Sequence, residues 1–421
     1  MLKKILKIKD LRKKILLTSG LLVAYRFAAA IPIPGIDMAA LQQLFQRNQF
    51  LGLLGMLSGG AMQRLSIVSL GLSPYITASI MMQLLTMTFP KLEELSREGE
   101  YGREKIARYT KFISVPLSLI QAFGLYTLLR QQQVVGSLPL FSLIYFLLIL
   151  MGGVFFLVWV GDLITEYGIG NGSSIIISVG ILSRLPVSLA QTVSVVNAGT
   201  AFSFLWQVVL AIFLVGAIVI VEEGAREIEV RYASRRRGSR ASEGGRTYLP
   251  LRVNQAGVVP ILFAGTLVLL PSMIAGFFGG LNMPVLGAVF SFLDQNLQPG
   301  SFLYTFIYFW LVVAFTFFYT AVTFDPEKIA EDMKKYGGFI PGIRPGKATV
   351  NYLNWVLTRV TLVGALFLGS LAILPSVMSG VFGGQALSLG GTGILIVVSV
   401  ILDVLKKVEG RLSMSGYEQF I

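Results

Sequence analysis

The 421-residue chain is 54% hydrophobic and 14% charged, with mean hydropathy +0.72 and net charge +13. Soluble domains carry about a quarter charged residues, so an ordinary soluble fold is excluded. There is no cysteine and no histidine, which removes thiol chemistry, disulfides, haem ligation and the usual zinc sites.

Ten apolar runs of roughly 18 to 23 residues predict a polytopic helical membrane protein. The first, Ile15–Ile31, follows a basic start and ends in alanines, the pattern of a secretory signal peptide. Arg26 interrupts its core and cleavage would leave an odd number of spans, so it reads as span one. Next comes FLGLLGMLSGGAMQRL (Phe50–Leu65), apolar, broken by four glycines and too short to cross. Such a piece either folds back to membrane depth inside the protein or lies on the outer surface. Spans two to five are Leu70–Phe89, Phe112–Leu129, Leu138–Val160 and Ser173–Ala190. The YGIGNG stretch before span five (Tyr167–Gly172) lacks the lysine of a phosphate loop. It also differs from a potassium filter in order and copy number, and reads as a flexible, close-packed turn.

Span six is Ala201–Val221, and Glu222–Gln255 then alternates polar and β-prone residues around an arginine-rich tip, the pattern of a hairpin-like protrusion. Spans seven and eight are Ala256–Phe278 and Phe302–Val322. Phe324–Thr349 predicts a short helix, Pro326 to Tyr336, and then a turn-rich segment. Spans nine and ten are Val356–Leu374 and Leu387–Leu405.

Charge sets the orientation. Residues 1–14, 91–111, 222–254, 324–349 and those after Leu405 hold 29 of the 35 Lys and Arg. The opposite side holds Arg47, Arg64 and Arg130. Basic connections are retained in the cytoplasm, so both termini are expected there. The basic loops suit either anionic lipid headgroups or a docking partner, and two stalks rising from separate span pairs favour a docking platform.

The spans hold almost no acids. Asp162, Glu166, Glu222 and Asp403 sit at or near span ends, and Arg26 and Arg359 are the candidate intramembrane charges. Proton relay and sodium coupling lose support. Neither a zinc nor a Ser-His hydrolytic site can be assembled without histidine, so an enzyme is not expected. A conduit for something uncharged, or for something extended and varied, fits. A secondary transporter for an apolar solute and a non-conducting scaffold or insertase are the rival readings.

Seven blocks then carry a resemblance: IPIPGID, LSGGAMQRLSIVSLGLSPYITASIMMQLL, EGEYGREKIARYTK, ITEYGIGNGSSIII, LPLRVNQAGVVPILFA, FDPEKIAEDMKKYGGFIPGIRPGKAT and RVTLVGALFLG. In order and spacing the chain resembles the bacterial SecY family, the central subunit of the Sec protein-translocation channel. The resemblance implies an all-α polytopic membrane protein of the bacterial plasma membrane, with ten transmembrane helices in two pseudosymmetric halves, residues 1–190 and 191–421. It implies passage of unfolded secretory polypeptides and lateral release of transmembrane segments into lipid. A short plug half-helix, about residues 53–64, would include Leu53, Leu54, Met56, Leu57, Gly59, Gly60, Met62 and Arg64. Leu72, Ile76, Ile177, Leu262 and Ile396 would take constriction positions, with Ser173 standing where the family has a further aliphatic. Ordinary helix packing is the other reading of each.

Gln83, Gln121 and Thr266 would line a lateral gate between spans two/three and seven/eight, or simply pair helices. Arg235, Arg236, Arg237, Arg240 and Arg344 would dock the SecA motor or the ribosome. The resemblance further implies SecE and SecG as partners, signal-bearing polypeptides as substrates, contacts with anionic lipids, and no cofactor.

Overall fold

The computed structural model describes residues 8–34, 41, 60–131, 134–136, 138–183, 185–187, 190, 201–232, 246–265, 267–268, 301–382 and 391–418. Within these, the apolar runs are helices. They are α1 (Lys9–Ala30), α2 (Ser73–Thr88), α4 (Glu100–Gln131), α5 (Leu140–Tyr167), α6 (Gly172–Leu182), α7 (Ala201–Glu223), α8 (Phe302–Thr323), α10 (Lys347–Phe382) and α11 (Gly391–Glu418), with span seven starting as helix at 259–265. Two further helices, α3 (Pro90–Arg97) and α9 (Pro326–Lys335), lie between spans. Among the described residues five helices are long and apolar enough to cross a membrane by length and composition. The others fall short because α2 and α6 have only 16 and 11 residues, and α1 and α11 carry basic ends.

Proline sets several ends. Ile31 and Phe89 are both extended because each precedes a proline, which disfavours the helical region. Pro90 then opens α3 at once, since the first helical turn needs no N–H from it. Span five, expected to reach Ala190, ends as α6 at Leu182, because Pro186 cannot donate back to it. Other helices run further than their apolar cores. α4 starts at Glu100 rather than Phe112, and α10 at Lys347 rather than Val356. The polar extensions are good helix formers with supporting pairs such as Arg108–Glu104, so nothing stops the helix at the bilayer edge. At 1.5 Å per residue α4 is about 48 Å long, against roughly 30 Å of hydrocarbon.

Among the described residues the buried apolar side chains form two clusters from the first half of the chain, two from the second and two that join the halves. Tyr25, Val68, Leu72, Leu157, Ile164 and Ile176 unite α1, α2, α5 and α6. A second cluster joins α4 and α5 through Leu125, Leu129, Phe146 and Leu150. In the second half Ile218, Ile261, Tyr308, Val312, Leu368 and Leu395 unite five spans. The fourth cluster lies outside the membrane. Strands β1 (Ala225–Tyr232) and β2 (Arg246–Arg252) form the expected antiparallel hairpin, and β3 (Gly338–Phe339) adds to the free edge of β1 in the order β2-β1-β3. The two long connections are therefore one body, not two separate stalks. Ile228, Val230 and Leu251 pack with Met333, Ile340 and Leu353, and burial of that shared face holds the sheet on α9 and α10.

Close helix packing in lipid relies on small residues, because lipid tails are as apolar as the side chains they would compete with. At Gly172 a Cβ would run into the Gly161 backbone of α5, whereas Gly20 on α1 has open space. Gly172→Ala is expected to destabilise the protein by about 1–3 kcal/mol, and Gly20→Ala to leave it unchanged or slightly more stable. Thermal unfolding in detergent micelles measures both.

Candidate functional site

Five aliphatic side chains from four spans converge. Leu72 precedes α2 and Ile76 lies in its first turn, where its N–H donates to the Leu72 carbonyl at 2.9 Å. Both share an apolar cluster with Ile177 of α6. Ile177 also packs with Ile396 of α11, Leu262 of span seven, Ile181 and Val397. Ile177 and Val400 thus belong to both clusters, and the five candidate constriction residues fall in one continuous apolar body between the halves. Ser173 is half-buried at the start of α6, with its Oγ beside Gly161 of α5.

The turn into α6 is firm rather than flexible. Asn171 caps the helix by accepting from the Ser174 N–H at 3.1 Å, Gly172 N–H donates to Thr165 Oγ1 at 2.9 Å, and Gly170 takes φ +87° against Val404 of α11.

Of the candidate plug, Leu53, Leu54, Met56, Leu57 and Gly59 lie outside the described residues. Gly60 is in a turn with φ +83°, and Met62–Arg64 is a 3-10 turn rather than the expected α-helical end. Met62 is buried against α4 and α5, while Arg64 is exposed. The root of this excursion is an antiparallel bridge between Pro32 and Ser66. Ile33 N–H donates to Leu65 O at 2.9 Å and Ile67 N–H to Ile31 O at 3.1 Å. These bonds satisfy backbone groups that no helix serves.

Gln83 on α2 is exposed, Gln121 on α4 is half-buried, and no hydrogen bond joins them among the described residues; Thr266 lies outside those residues. A stripe of small residues on α4 was missed in the sequence. Thr110, Ser114 and Ser118 are a buried small-residue stripe at four-residue spacing, each hydroxyl donating to its own helix backbone. The two candidate intramembrane charges sit beside aromatic rings. The Arg359 guanidinium lies 3.6 Å from the Trp355 ring centroid and that of Arg26 5.9 Å from Tyr25.

Arg235, Arg236, Arg237 and Arg240 lie outside the described residues. Arg344 is exposed on a turn whose Gly342 and Gly346 take φ +80° and +106°. Ile340 and Ile343 root that turn in the cytoplasmic cluster, and Thr349 Oγ1 donates to the Arg344 carbonyl at 3.0 Å. On α9 nearby, the hydrogen-bonded Glu331 carboxylate raises Lys335 above its ordinary range. Among the described residues no group of acids could hold a metal ion.

A family model described as SecY matches residues 66–405. The chain belongs to the SecY family. Curated relatives named protein translocase subunit SecY come from Mycobacterium bovis, Streptomyces galbus and Corynebacterium glutamicum. They are 40%, 42% and 42% identical, and the matches cover 98%, 98% and 97% of this chain and 97% of each relative. Solved structures share the fold. One described as a protein-conducting channel has TM-score 0.65 at 17% identity, covering 96% of this chain and 93% of its own. Sec61 in the canine ribosome-channel complex from the endoplasmic reticulum has TM-score 0.62 at 16% identity, with the same coverage. The chain is accordingly a multi-pass membrane protein with the SecY channel fold.

Asp325 caps α9, its Oδ1 accepting from the Glu327 and Lys328 N–H groups at 3.0 and 3.2 Å. Asp325→Ala should cost about 1 kcal/mol. It should speed amide hydrogen exchange across 326–335 while leaving α10 unchanged.

Proposed function

We propose that this chain, a protein-translocation channel subunit, passes unfolded polypeptide through the body formed by Leu72, Ile76, Ile177, Leu262 and Ile396. The observation that carries the reading is the convergence of these residues from spans two, five, seven and ten. A narrow aliphatic neck excludes ions because it is dry. It accepts varied sequences because it offers no fixed hydrogen bonds to any side chain. The halves 1–190 and 191–421 each keep their own apolar clusters, which supports their moving as two units around this neck.

Sufficiently apolar segments leave sideways between spans two/three and seven/eight, where Gln83, Gln121 and Thr266 tune the seam. The same transfer energetics that mark a span in sequence decide that exit. Residues 53–64, carried on the excursion whose root the Pro32–Ser66 bridge pins, serve as the plug. Both termini and the three-stranded body face the cytoplasm of a bacterial plasma membrane, as the Lys/Arg distribution requires. Arg344 and the hairpin-tip arginines Arg235, Arg236, Arg237 and Arg240 dock the SecA motor or the ribosome. Ribosome-bound Sec61 and Ssh1 among the similar structures support the second partner. SecE and SecG complete the complex, anionic lipids neutralise the remaining basic rim, and the chemistry is transport rather than catalysis.

Because the chain lacks cysteine, single introduced cysteines report unambiguously. A secretory chain stalled in transit should crosslink to Ile76→Cys and Ile177→Cys but not to Phe213→Cys, which is exposed on α7. Crosslinks confined to lipid-facing sites would refute the pore and favour the scaffold reading. In a separate assay, Ile177→Asn should wet the neck and raise resting ion conductance several-fold. Solute uptake by vesicles holding this chain alone would instead favour a transporter. Arg344→Glu should abolish motor-driven translocation without lowering the unfolding temperature, since its side chain is exposed.

A further inference from the structure

One carboxylate ties the root of the cytoplasmic hairpin to the helix that bears Ile396. Glu222 occupies the last turn of α7, directly before β1. Its Oε1 accepts from Ser399 Oγ on α11 at 2.6 Å and from Asn254 Nδ2, just beyond β2, at 2.8 Å. The neighbouring Glu223 pairs with Lys406, two turns along α11, at 2.9 Å. Gly224 O accepts from Val253 N–H at 2.9 Å, so the two ends of the hairpin close on each other beside Glu222. On the third side the Val253 carbonyl presses on Gly364 of α10, where any Cβ would overlap it. The root therefore has no slack toward α7, α10 or α11.

Asn254 reveals how this arrangement is biased. A carboxylate only accepts, so the amide must turn its NH2 toward Glu222. Among the described residues its buried Oδ1 then has no partner. Burying an orphan acceptor is unfavourable, so the junction is held by the carboxylate against a local penalty and is poised to rearrange. Ser399 lies one turn after Ile396 and adjoins Val400, which packs in both clusters of the neck. Motion of the hairpin root is thus delivered within one helical turn of the constriction.

We infer that Glu222 is a positioning residue that sets the register of α11 against the hairpin, so that load on the cytoplasmic body reaches the neck through Asn254, Glu222 and Ser399. The inference rests on the proposed pore, and the test separates the two. Full-length protein in its assembled complex is reconstituted in vesicles, as wild type, Glu222→Gln, Glu222→Ala, Ser399→Ala and the Glu222→Ala/Ser399→Ala double. Spin labels at Tyr248→Cys, exposed on β2, and Gly410→Cys, open on α11, read the root-to-helix distance without reference to the pore.

The distance distribution should be narrow in wild type, broader in Glu222→Ala and Ser399→Ala, and intermediate in Glu222→Gln, which keeps one acceptor oxygen. Resting ion leak should rise several-fold in each alanine variant and no further in the double, with the unfolding midpoint of Ser399→Ala unchanged. An unchanged label distance, or leaks that multiply in the double, would overturn the positioning role. If Ile177→Asn does not leak either, the pore reading fails, and the label distance alone still decides the role of Glu222.

Discussion

Inside hydrocarbon every backbone N–H and C=O must find its partner within the protein, and the rest of this structure follows from that requirement. Helices meet it automatically. The two described departures from helix at or near membrane depth meet it by explicit bonds. The Pro32–Ser66 bridge closes the base of the first excursion, and Thr165, Asn171 and Thr18 supply acceptors to the turn between α5 and α6. The first closes one excursion on itself, whereas the second also fastens the turn to α1 through Thr18. A channel that opens must keep its backbone satisfied in every state.

Much of this was legible because hydrophobicity and proline act locally. The apolar runs give the spans, Pro32 and Pro90 end α1 and α2, and Asp325–Pro326 announces α9. The hairpin follows from alternation on either side of an arginine-rich tip. What stayed hidden depends on distant partners. β3 is only two residues long, and nothing in Gly338–Phe339 says strand until Arg231 and Tyr232 present a free edge. The stripe of Thr110, Ser114 and Ser118 reads as ordinary polar helix surface until packing buries it. Glu222 looks like a span-end acid, because its partner Ser399 is 177 residues away. The resemblance named constriction positions, but composition alone could not separate them from helix packing.

The merging of the two long connections changes how force can act on the membrane region. A hairpin standing alone would flex about its own two strands, and little displacement would reach the bilayer. Here β3 ties the hairpin to α9, the shared apolar face ties both to α10, and Glu222 and Glu223 tie the root to α11. A load applied at Arg344 would therefore act on a body continuous with three spans of the second half. Among the described residues the first half meets those spans through apolar packing at α6 and α11 and at the foot of α1, where Asp10 also pairs with Arg411 of α11 at 3.7 Å.

That asymmetry bears on how the neck can be both tight and yielding. Polar junctions such as Glu222–Ser399 have fixed geometry and release abruptly, because a hydrogen bond is lost within a fraction of an ångström. Aliphatic contacts have no preferred angle, and they loosen gradually as side chains change rotamer. Placing directional contacts around the hairpin root, and aliphatics at the proposed neck around Ile177, Leu262 and Ile396, divides the work. The root supplies a defined register, and the neck supplies compliance. An inverted arrangement, with hydrogen bonds across the neck, would discriminate among passing side chains and leave unpaired polar groups whenever the halves part. A conduit for chains of every composition has to put its specificity outside the neck, and the distribution of polar and apolar contacts between the halves does so.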